Sequence, residues 1–322
     1  MLTPASGAYA VSFSDILAAR ERISAWVRRT PVMRCASLDA IAGRPLHFKA
    51  EPFQRTGSFK FRGATNAVRS LDDASASRGV ATHSSGNHAQ ALALAARLRG
   101  IPAHIVMPSN APAVKRAAVE AYGGLVTTCE PTLAAREAGL KDVVARTGAV
   151  AIPPFDHPMV IAGQGTIACE ILEDVPNVDT IVAPVGGGGM IGGIAVATRA
   201  LSPQTRVIAA EPAGAADAAL SKRTGVRQPM LSPKTIADGL RTGLGELTFP
   251  IVRDLVDEVI VVEEHEISAA MRLVWERLKV VIEPSAGVGV AALLRDDIRA
   301  RRELGTTAVV LCGGNVDVSA LA

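Results

Sequence analysis

The sequence has little cysteine, little excess charge and no long apolar run, and each absence excludes a class of protein. The four cysteines among 322 residues are Cys35, Cys129, Cys169 and Cys312. They lack Cys-x-x-Cys spacing, so neither a disulfide framework nor a zinc knuckle is indicated. The 34 basic and 31 acidic residues leave a net charge of +3, spread without long runs. This balance gives no electrostatic argument for nucleic acid or an acidic membrane surface as a partner.

Signals for export or membrane insertion are also missing. Residues 1–14 lack the basic region followed by an apolar core that a secretory signal needs. Glycine, proline or charge interrupts every apolar run before it reaches transmembrane length. A chain of this length with 48% hydrophobic residues can still form two packed lobes. We expect a cytoplasmic protein whose partners are small molecules.

Strand-like and helix-like segments alternate along the chain, which predicts an α/β fold with parallel sheets and right-handed crossovers. The first helix is predicted over residues 13–28, with Ser14 as its cap. The predicted strands cover residues 45–51, 80–82, 103–107, 125–128, 180–184, 207–210, 259–262 and 307–311.

We predict two domains, each built on a mainly parallel, twisted sheet flanked by helices. The small domain covers residues 80–153 and ends in the Pro-rich stretch 152–156. The large domain combines residues 1–79 with residues 154–322. Both chain ends are assigned to it because the N-terminal segment must pack somewhere and the last strand needs neighbours.

Lys60 is predicted to lie in the first turn of a helix, just behind a Thr-Gly-Ser start signal. Thr56 or Ser58 would cap this helix. The positive end of the helix dipole and desolvation would both favour a neutral, nucleophilic amine. The alternative is an ordinary solvated lysine, which is the usual state of this residue type.

Four successive glycines follow an apolar strand and precede a helix. Such a loop lets the backbone approach an anion closely, with several N–H groups pointing at it, and a phosphate would bind there. Neither the Walker loop nor the dinucleotide fingerprint matches this spacing. The alternative is a flexible or closely packed turn. The loop consists of Gly186, Gly187, Gly188 and Gly189, followed by Met190.

The polar loop 84–88 also follows a strand and opens a helix. Its hydroxyls, its amide and its N–H groups could converge on a carboxylate. The alternative is that Ser84 or Ser85 only caps the helix.

These motifs together resemble the fold type II pyridoxal-phosphate enzymes. Within that group the chain is similar to the serine racemase and serine/threonine dehydratase family, which includes threo-3-hydroxyaspartate dehydratase. The resemblance covers nearly the whole chain in order, and it implies a two-lobed fold similar to the tryptophan synthase β chain. It rests on residues 57–64, 84–88, 161–166, 186–190, 237–239, 273–277, 282–287 and 312–315.

The resemblance implies that Lys60 carries pyridoxal 5'-phosphate (PLP) as a Schiff base. Residues 186–190 would hold the phosphate, and Asn87 would bond the ring hydroxyl. Cys312 falls beside the pyridine nitrogen, where a neutral thiol would make the ring a weaker electron sink and favour elimination. The alternative for Cys312 is a small buried hydrophobe.

The implied activity is that of an ammonia-lyase. It would convert L-serine, L-threonine or threo-3-hydroxyaspartate to a 2-oxo acid and ammonia, with Lys60 taking the α-proton. The α-carboxylate would be bound by Ser84, Asn87 and His88 with nearby N–H groups. Two rivals on the same site remain, a β-replacement synthase and a catalytically silent binding protein.

An amino-acid racemase is the main alternative, and Ser85 decides it. In the family that the chain resembles, a serine here faces the opposite side of the substrate from the lysine and can exchange the α-proton. The other interpretation is that Ser85 only bonds the carboxylate. Arg136 would suit a second substrate carboxylate, or it is a solvated helical arginine.

Further implications concern a cation, an effector and assembly. Glu211, Ala215 and Asp217 match the positions through which serine racemases bind Mg²⁺ or Ca²⁺, and oxygen ligands suit a hard cation. The alternative is two solvated acids. The family is commonly dimeric, so we expect a homodimer.

A nucleotide effector, ATP, is known in this family. Lys279, Tyr122 and Asn315 have counterparts for it here, whereas residues 35–37 and Ala89 depart from the family pattern. No residues follow Ala322 that could form the C-terminal regulatory domain of biosynthetic threonine dehydratases.

Overall fold

The computed structural model describes residues 9–317, which form two sheets flanked by helices. This is the predicted α/β architecture. The strands are β1 (Val32–Met33), β2 (Leu46–Ala50), β3 (Val80–His83), β4 (Ala103–Pro108), β5 (Gly124–Cys129), β6 (Val150–Ala151), β7 (Thr180–Pro184), β8 (Arg206–Pro212), β9 (Glu258–Val262) and β10 (Thr307–Leu311).

Helices separate most of the strands, and short 3₁₀ turns and one π-helical turn (Val274–Leu278) join some of them. The α-helices are α1 (Phe13–Ile23), α2 (Ala36–Ala42), α3 (Lys60–Ser70), α4 (Asp73–Ser77), α5 (Asn87–Arg99), α6 (Ala113–Ala121), α7 (Leu133–Thr147), α8 (Pro158–Asp174), α9 (Gly189–Leu201), α10 (Asp217–Thr224), α11 (Thr248–Leu255), α12 (Glu264–Leu273), α13 (Pro284–Leu294) and α14 (Asp296–Arg299).

The larger sheet has the order β1-β2-β10-β7-β8-β9, and only β1 runs antiparallel to its neighbour. The smaller sheet has the order β5-β4-β3-β6 and is parallel throughout. The last strand, β10, lies between β2 and β7, so both ends of the described chain contribute to the larger sheet. The strands of the smaller sheet all fall within residues 80–153. The domain boundaries themselves stay a prediction.

Helix α3, which begins at Lys60, lies between the two halves of the molecule, one built on the larger sheet and the other on the smaller sheet. It packs against α8 beside the larger sheet and against α5 beside the smaller one. Its residues Phe61, Ala64 and Val68 are fully buried in the core of the smaller sheet, together with Leu92 and Ile105. The apolar face of this helix therefore anchors it in that core, and Lys60 lies at the junction of the two halves.

The first helix differs from the prediction at both ends. It begins at Phe13 as expected, but its cap is Ser12, whose side chain and Asp15 form a reciprocal capping box. It ends at Ile23, five residues early. Across residues 9–317, no helix has both the length and the apolar content needed to cross a bilayer.

Candidate active site

The turn before Lys60 is sharper than the predicted helix cap. Phe59 occupies the cap position, and among residues 9–317 no side chain caps the helix, so the prediction that Thr56 or Ser58 would cap it was wrong. Thr56 has φ 60° in a 3₁₀ turn, and Ser58 is extended and pairs with Gly313 at the end of the larger sheet. These two residues shape the turn, and their side chains do not reach the helix start.

The amine of Lys60 is partly shielded and weakly basic. Its Nζ donates a hydrogen bond to the carbonyl oxygen of Pro154 at 2.7 Å and lies 5.0 Å from the centre of the Phe59 ring. Burial lowers the pKa of Lys60 to about 8, although the nearby Cys312 and Glu283 act in the opposite direction. A substantial neutral fraction is therefore available near neutral pH, in the direction that the sequence predicts.

The glycine loop leads directly from β7 into α9, and all four glycines are buried. Gly188 has φ 85°, a conformation that side chains rarely adopt. A Cβ on Gly187 would lie 2.3 Å from the ring of Phe155, and the hydroxyl of Thr248 donates to the carbonyl of Gly187 at 2.7 Å. Only glycine fits, so the N-terminus of α9 presents a backbone surface suited to an anion. Met190 follows in the first turn, 6% exposed.

Asn87 begins α5 and belongs to a network of side chains between the two halves. Its Nδ2 donates to both carboxylate oxygens of Glu283, at 2.8 and 3.1 Å. Its Oδ1 accepts from Nδ2 of Asn315, which also donates to the carbonyl of Thr56. Burial raises the pKa of Glu283 to about 7, although the hydrogen bond from Asn87 opposes this. The network holds the Asn87 amide in one orientation.

The other residues of the polar loop have separate environments. The Ser84 hydroxyl accepts from the backbone N–H of Gly86 at 3.3 Å, whereas the half-buried Ser85 hydroxyl has no hydrogen-bond partner within residues 9–317. The ring of His88 points inward to the carbonyl of Ile152, and burial lowers the pKa of His88 to about 3. Its ring is therefore neutral and bonded through Nε2 to the protein interior, and its backbone N–H, in the first turn of α5, remains for a ligand.

Cys312 and Arg136 belong to different halves of the molecule, Cys312 after a strand of the larger sheet and Arg136 on a helix beside the smaller one. Cys312 follows β10, is 2% exposed, and its carbonyl accepts from the N–H of Phe59. Burial raises the pKa of the Cys312 thiol well above its ordinary value, so the thiol is neutral. Arg136 is half-buried on α7, and its guanidinium forms no hydrogen bond or ion pair within the described residues. Together with burial, its charge lowers the pKa of His83, which precedes the polar loop.

The three residues predicted to bind a cation lie within seven positions of one another: Glu211 is near the end of β8, Ala215 is in the 3₁₀ turn that follows, and Asp217 begins α10. The Glu211 carboxylate accepts from two backbone N–H groups, while Oδ1 of Asp217 is buried without a partner among the described residues. Burial raises the pKa of Glu211 to about 8 and that of Asp217 to about 6. Ala215 is buried in the turn between them. Within residues 9–317 there is no group of three or more His, Cys, Asp or Glu side chains that could hold a metal ion.

A cavity of about 430 Å³ is lined on one side by Asn315. Lys279 and Asn315, two of the residues considered for a nucleotide, line it together with Gly57 and Phe53. Tyr122 is not part of this lining and lies beneath the guanidinium of Arg97 instead. The described chain therefore brings together two of the three residues considered.

Sequence reasoning gave no role to Glu283, Pro154 or Phe155. Glu283 ends an apolar run, and an isolated carboxylate in such a run is a signal that could have been used. Pro154 and Phe155 were treated only as part of a connection between domains. Their contacts with Lys60 and the glycine loop depend on tertiary packing, which no local pattern reveals.

Comparisons with known proteins agree with this site. A family model described as "Pyridoxal-phosphate dependent enzyme" matches residues 23–313. Serine racemase from Oryza sativa subsp. indica is 49% identical over 319 residues, which cover 98% of this chain and 94% of the relative.

Two solved structures are similar over almost their full length. Maize serine racemase has a TM-score of 0.96 and 49% identity, covering 97% of this chain and 96% of that chain. A threonine deaminase from T.th. has a TM-score of 0.90 and 42% identity, covering 95% of this chain and 99% of that chain. The chain therefore belongs to the pyridoxal-phosphate-dependent enzyme family, in the fold type II group that contains serine racemases and threonine deaminases.

Proposed function

We propose that this chain racemises serine and, at the same site, converts β-hydroxy-α-amino acids to a 2-oxo acid and ammonia. The sequence favoured the ammonia-lyase and kept the racemase as an alternative. The relatives named serine racemase now favour the racemase, and the likeness to a threonine deaminase supports elimination as a second activity. L-Serine, L-threonine and threo-3-hydroxyaspartate are the substrates to compare.

The residues at this site fit PLP. A Cβ would fill the glycine loop, so the backbone there is kept bare for a phosphate. Lys60 would bind the aldehyde carbon, Asn87 the ring hydroxyl, and the neutral Cys312 thiol would lie by the ring nitrogen. When bound, PLP supplies the electron sink that makes the α-proton of an amino acid removable.

The observation that carries the proposal is that two groups able to exchange a proton lie on separate segments, Lys60 at the start of α3 and Ser85 in the loop between β3 and α5. The amine of Lys60, with its pKa near 8, can take a proton near neutral pH. The Ser85 hydroxyl, in the loop between β3 and α5, has no hydrogen-bond partner in residues 9–317 and would return a proton as the second exchanging group. Racemisation needs both steps, whereas elimination needs only the first, followed by loss of the β-hydroxyl as water.

Binding of the α-carboxylate is assigned to the polar loop. The hydroxyl of Ser84 and the backbone N–H groups of Asn87 and His88, in the first turn of α5, are the donors proposed for it. Arg136 is proposed to bind a second carboxylate, such as that of 3-hydroxyaspartate. Its guanidinium lacks an ion-pair partner in the described chain, which supports this role.

One panel of assays tests the proposal. Purified PLP-loaded protein is given each substrate, and D-serine, 2-oxo acid and ammonia are measured. Ser85→Ala should lose D-serine formation and keep 2-oxo acid formation. Ser84→Ala is the control, because losing a carboxylate donor should lower both reactions alike.

Several outcomes would contradict the proposal. If Ser85→Ala lowers both reactions equally, Ser85 only binds the carboxylate. If the parent protein forms no D-serine, it is not a racemase. If added thiol replaces ammonia release with a new amino acid, the chain is a β-replacement synthase.

We also propose a divalent cation, Mg²⁺ or Ca²⁺, bound by Glu211, Asp217 and the carbonyl of Ala215. The unpartnered Asp217 oxygen supports it. A homodimer and an ATP effector in the cavity lined by Lys279 and Asn315 are further proposals that rest on the family. Light scattering and nucleotide titration test them.

A further inference from the structure

The stretch 154–156 is more than a connection between the two sheets. Each of its three residues contacts a different part of the site. Pro154 accepts the hydrogen bond of Lys60, Phe155 covers the glycine loop, and Asp156 binds the backbone before α11. The segment therefore links the amine to the glycine loop on which the phosphate is proposed to lie.

The ring of Phe155 presses its face on the glycine loop. A Cβ built on Gly187 would lie 2.3 to 2.4 Å from three ring atoms of Phe155, Cγ, Cδ1 and Cδ2, so it would point at the ring face. A Cβ on Gly189 would lie 3.0 Å from the backbone and Cβ of Phe155. Phe155 thus packs against two of the four glycines, against Gly187 with its ring and against Gly189 with its backbone and Cβ, and such close packing leaves no room for water at these contacts.

Asp156 fixes the loop from the other side. Its carboxylate accepts the N–H groups of Glu246, Leu247 and Thr248 at 2.9 to 3.2 Å, which orders the start of α11. Thr248 in turn donates its hydroxyl to the carbonyl of Gly187. The glycine loop is therefore held between Phe155 and Thr248, and both contacts depend on this one segment.

We infer that Phe155 is a positioning residue that sets the gap between the glycine loop and Lys60 and closes that gap to water. The inference rests on the proposed PLP site, since a molecule that joins Lys60 to a phosphate in the loop has a fixed length. If the glycine loop shifts, one PLP molecule cannot join the Lys60 amine and place its phosphate in the loop without strain. If water enters, the ammonium form of Lys60 becomes easier to solvate.

The first test compares Phe155→Ala and Phe155→Leu with Phe13→Ala, which removes an equally half-buried ring from α1. PLP-free protein is titrated with PLP, and binding is followed by absorbance. Phe155→Ala should bind PLP roughly tenfold more weakly, as expected for losing about 1.4 kcal/mol of aromatic packing. Phe155→Leu should lose less, and Phe13→Ala should bind normally.

A second readout needs no activity. The rate at which an amine-reactive reagent labels Lys60 in PLP-free protein is measured against pH by mass spectrometry. The midpoint should lie near 8 in the parent protein and move toward the ordinary 10.5 in Phe155→Ala. Unchanged PLP affinity and an unchanged midpoint in Phe155→Ala overturn the inference. Absence of PLP binding to the parent protein instead refutes the proposed function.

A double-mutant cycle tests the contact itself and stays informative if Phe155→Ala is unstable. Gly187→Ala alone places a methyl group against the ring and should impair PLP binding severely. Adding Phe155→Ala removes the ring, so the double variant should bind PLP more tightly than Gly187→Ala alone. Losses that simply add, in variants whose circular dichroism is native, would show that the ring does not press on Gly187.

Discussion

The ammonium of Lys115 lies 2.5 Å from Oδ2 of Asp238 and joins the two halves of the molecule. Lys115 is on α6 beside the smaller sheet, and Asp238 begins a 3₁₀ turn beside the larger one. Both charges act on Glu283, although burial has the larger effect: Asp238 raises the pKa of Glu283 and Lys115 lowers it. The ion pair therefore lies close to the network of Asn87 and Glu283, where it can hold the two halves together.

We expect Lys115→Met to weaken substrate binding without stopping the chemistry. Both side chains are partly exposed, so KM should rise only about two- to fivefold while kcat stays nearly unchanged. The effect should shrink at high salt because salt screens the pair in the parent protein. Steady-state kinetics in low and high salt measure it.

Arg116→Gln is the matched control. It removes the ion pair between Arg116 and Glu120 on the same helix, which stays within one half of the molecule. An equal rise of KM in both variants would show that α6 was merely disturbed. Restoration of KM by the exchanged pair, Lys115→Asp with Asp238→Lys, would confirm the contact.

The titration of Glu283 gives a prediction about stability. Burial raises its pKa from an ordinary 4.5 to about 7, so the folded state binds this proton more tightly than the unfolded state does. The contribution of Glu283 to the free energy of unfolding is therefore fully present below about pH 4.5 and is lost as the pH rises to about 7. Glu283→Gln should remove this loss.

Urea unfolding of PLP-free protein tests this pH dependence of stability. The parent protein and Glu283→Gln are compared at about pH 5 and about pH 8, and the difference in their free energies of unfolding should shift in favour of the variant at the higher pH. The pKa of His88 is about 3 in the folded state, so between about pH 5 and about pH 8 its ring titrates in the unfolded state, and because it does so in both proteins the effect cancels in the difference. A difference that does not change with pH contradicts the assignment.

Local sequence patterns predicted the parts of the site that depend on neighbours in the chain. The glycine loop, the polar loop and the helix of Lys60 each follow a strand, and each was recognised because a strand, a loop and a helix come in sequence. The eight predicted strands are all present for the same reason. β1 and β6 were missed because two residues cannot show a periodic pattern.

Contacts between distant residues could not be predicted in this way. Asn87 and Glu283 are 196 residues apart, and Lys60 and Pro154 are 94 apart. The same limit explains the wrong cap before α3. From their neighbours in the sequence, Thr56 and Ser58 are typical capping residues. The β-bridge between Ser58 and Gly313 holds the chain in a different conformation.

The proposed cation site predicts that Asp217→Asn changes the melting temperature differently in a buffer with divalent cation and in a buffer with chelator. In Mg²⁺ or Ca²⁺ the melting temperature of the parent protein should rise above its value in chelator, because a ligand that binds only the folded state stabilises it. Asp217→Asn should abolish this rise. In chelator the variant should be at least as stable as the parent, since it removes a buried charge whose Oδ1 has no partner among the described residues.

Scanning calorimetry with Asp142→Asn as control tests this prediction. Asp142 is an exposed acid on α7, so its replacement should leave the cation effect intact. A cation-dependent rise that survives in Asp217→Asn would place the ion elsewhere. No rise in the parent protein at millimolar cation would contradict the site.

Among the predicted substitutions, replacement of Arg62 should cause the largest loss in the free energy of unfolding. It lies two residues after Lys60, is fully buried, and donates to the carboxylates of Glu51 and Glu170 at 2.6 to 2.9 Å. These bonds tie the start of α3 to α8, which carries Glu170, and to the 3₁₀ turn after β2, which begins at Glu51. Arg62→Met should lower the free energy of unfolding by about 3–5 kcal/mol, because it leaves buried carboxylates without their partner.

Urea unfolding of Arg62→Met and Arg69→Met separates this effect from a general loss on the same helix. Arg69 is half-buried and stacks on Trp26, so its replacement should cost about 1 kcal/mol. Equal losses in the two variants would mean that the buried carboxylates find other partners, such as Lys49, which already contacts Glu170 at 2.7 Å. A much larger loss for Arg62→Met would establish that the helix carrying the reactive lysine is held in place by buried charges as well as by apolar packing.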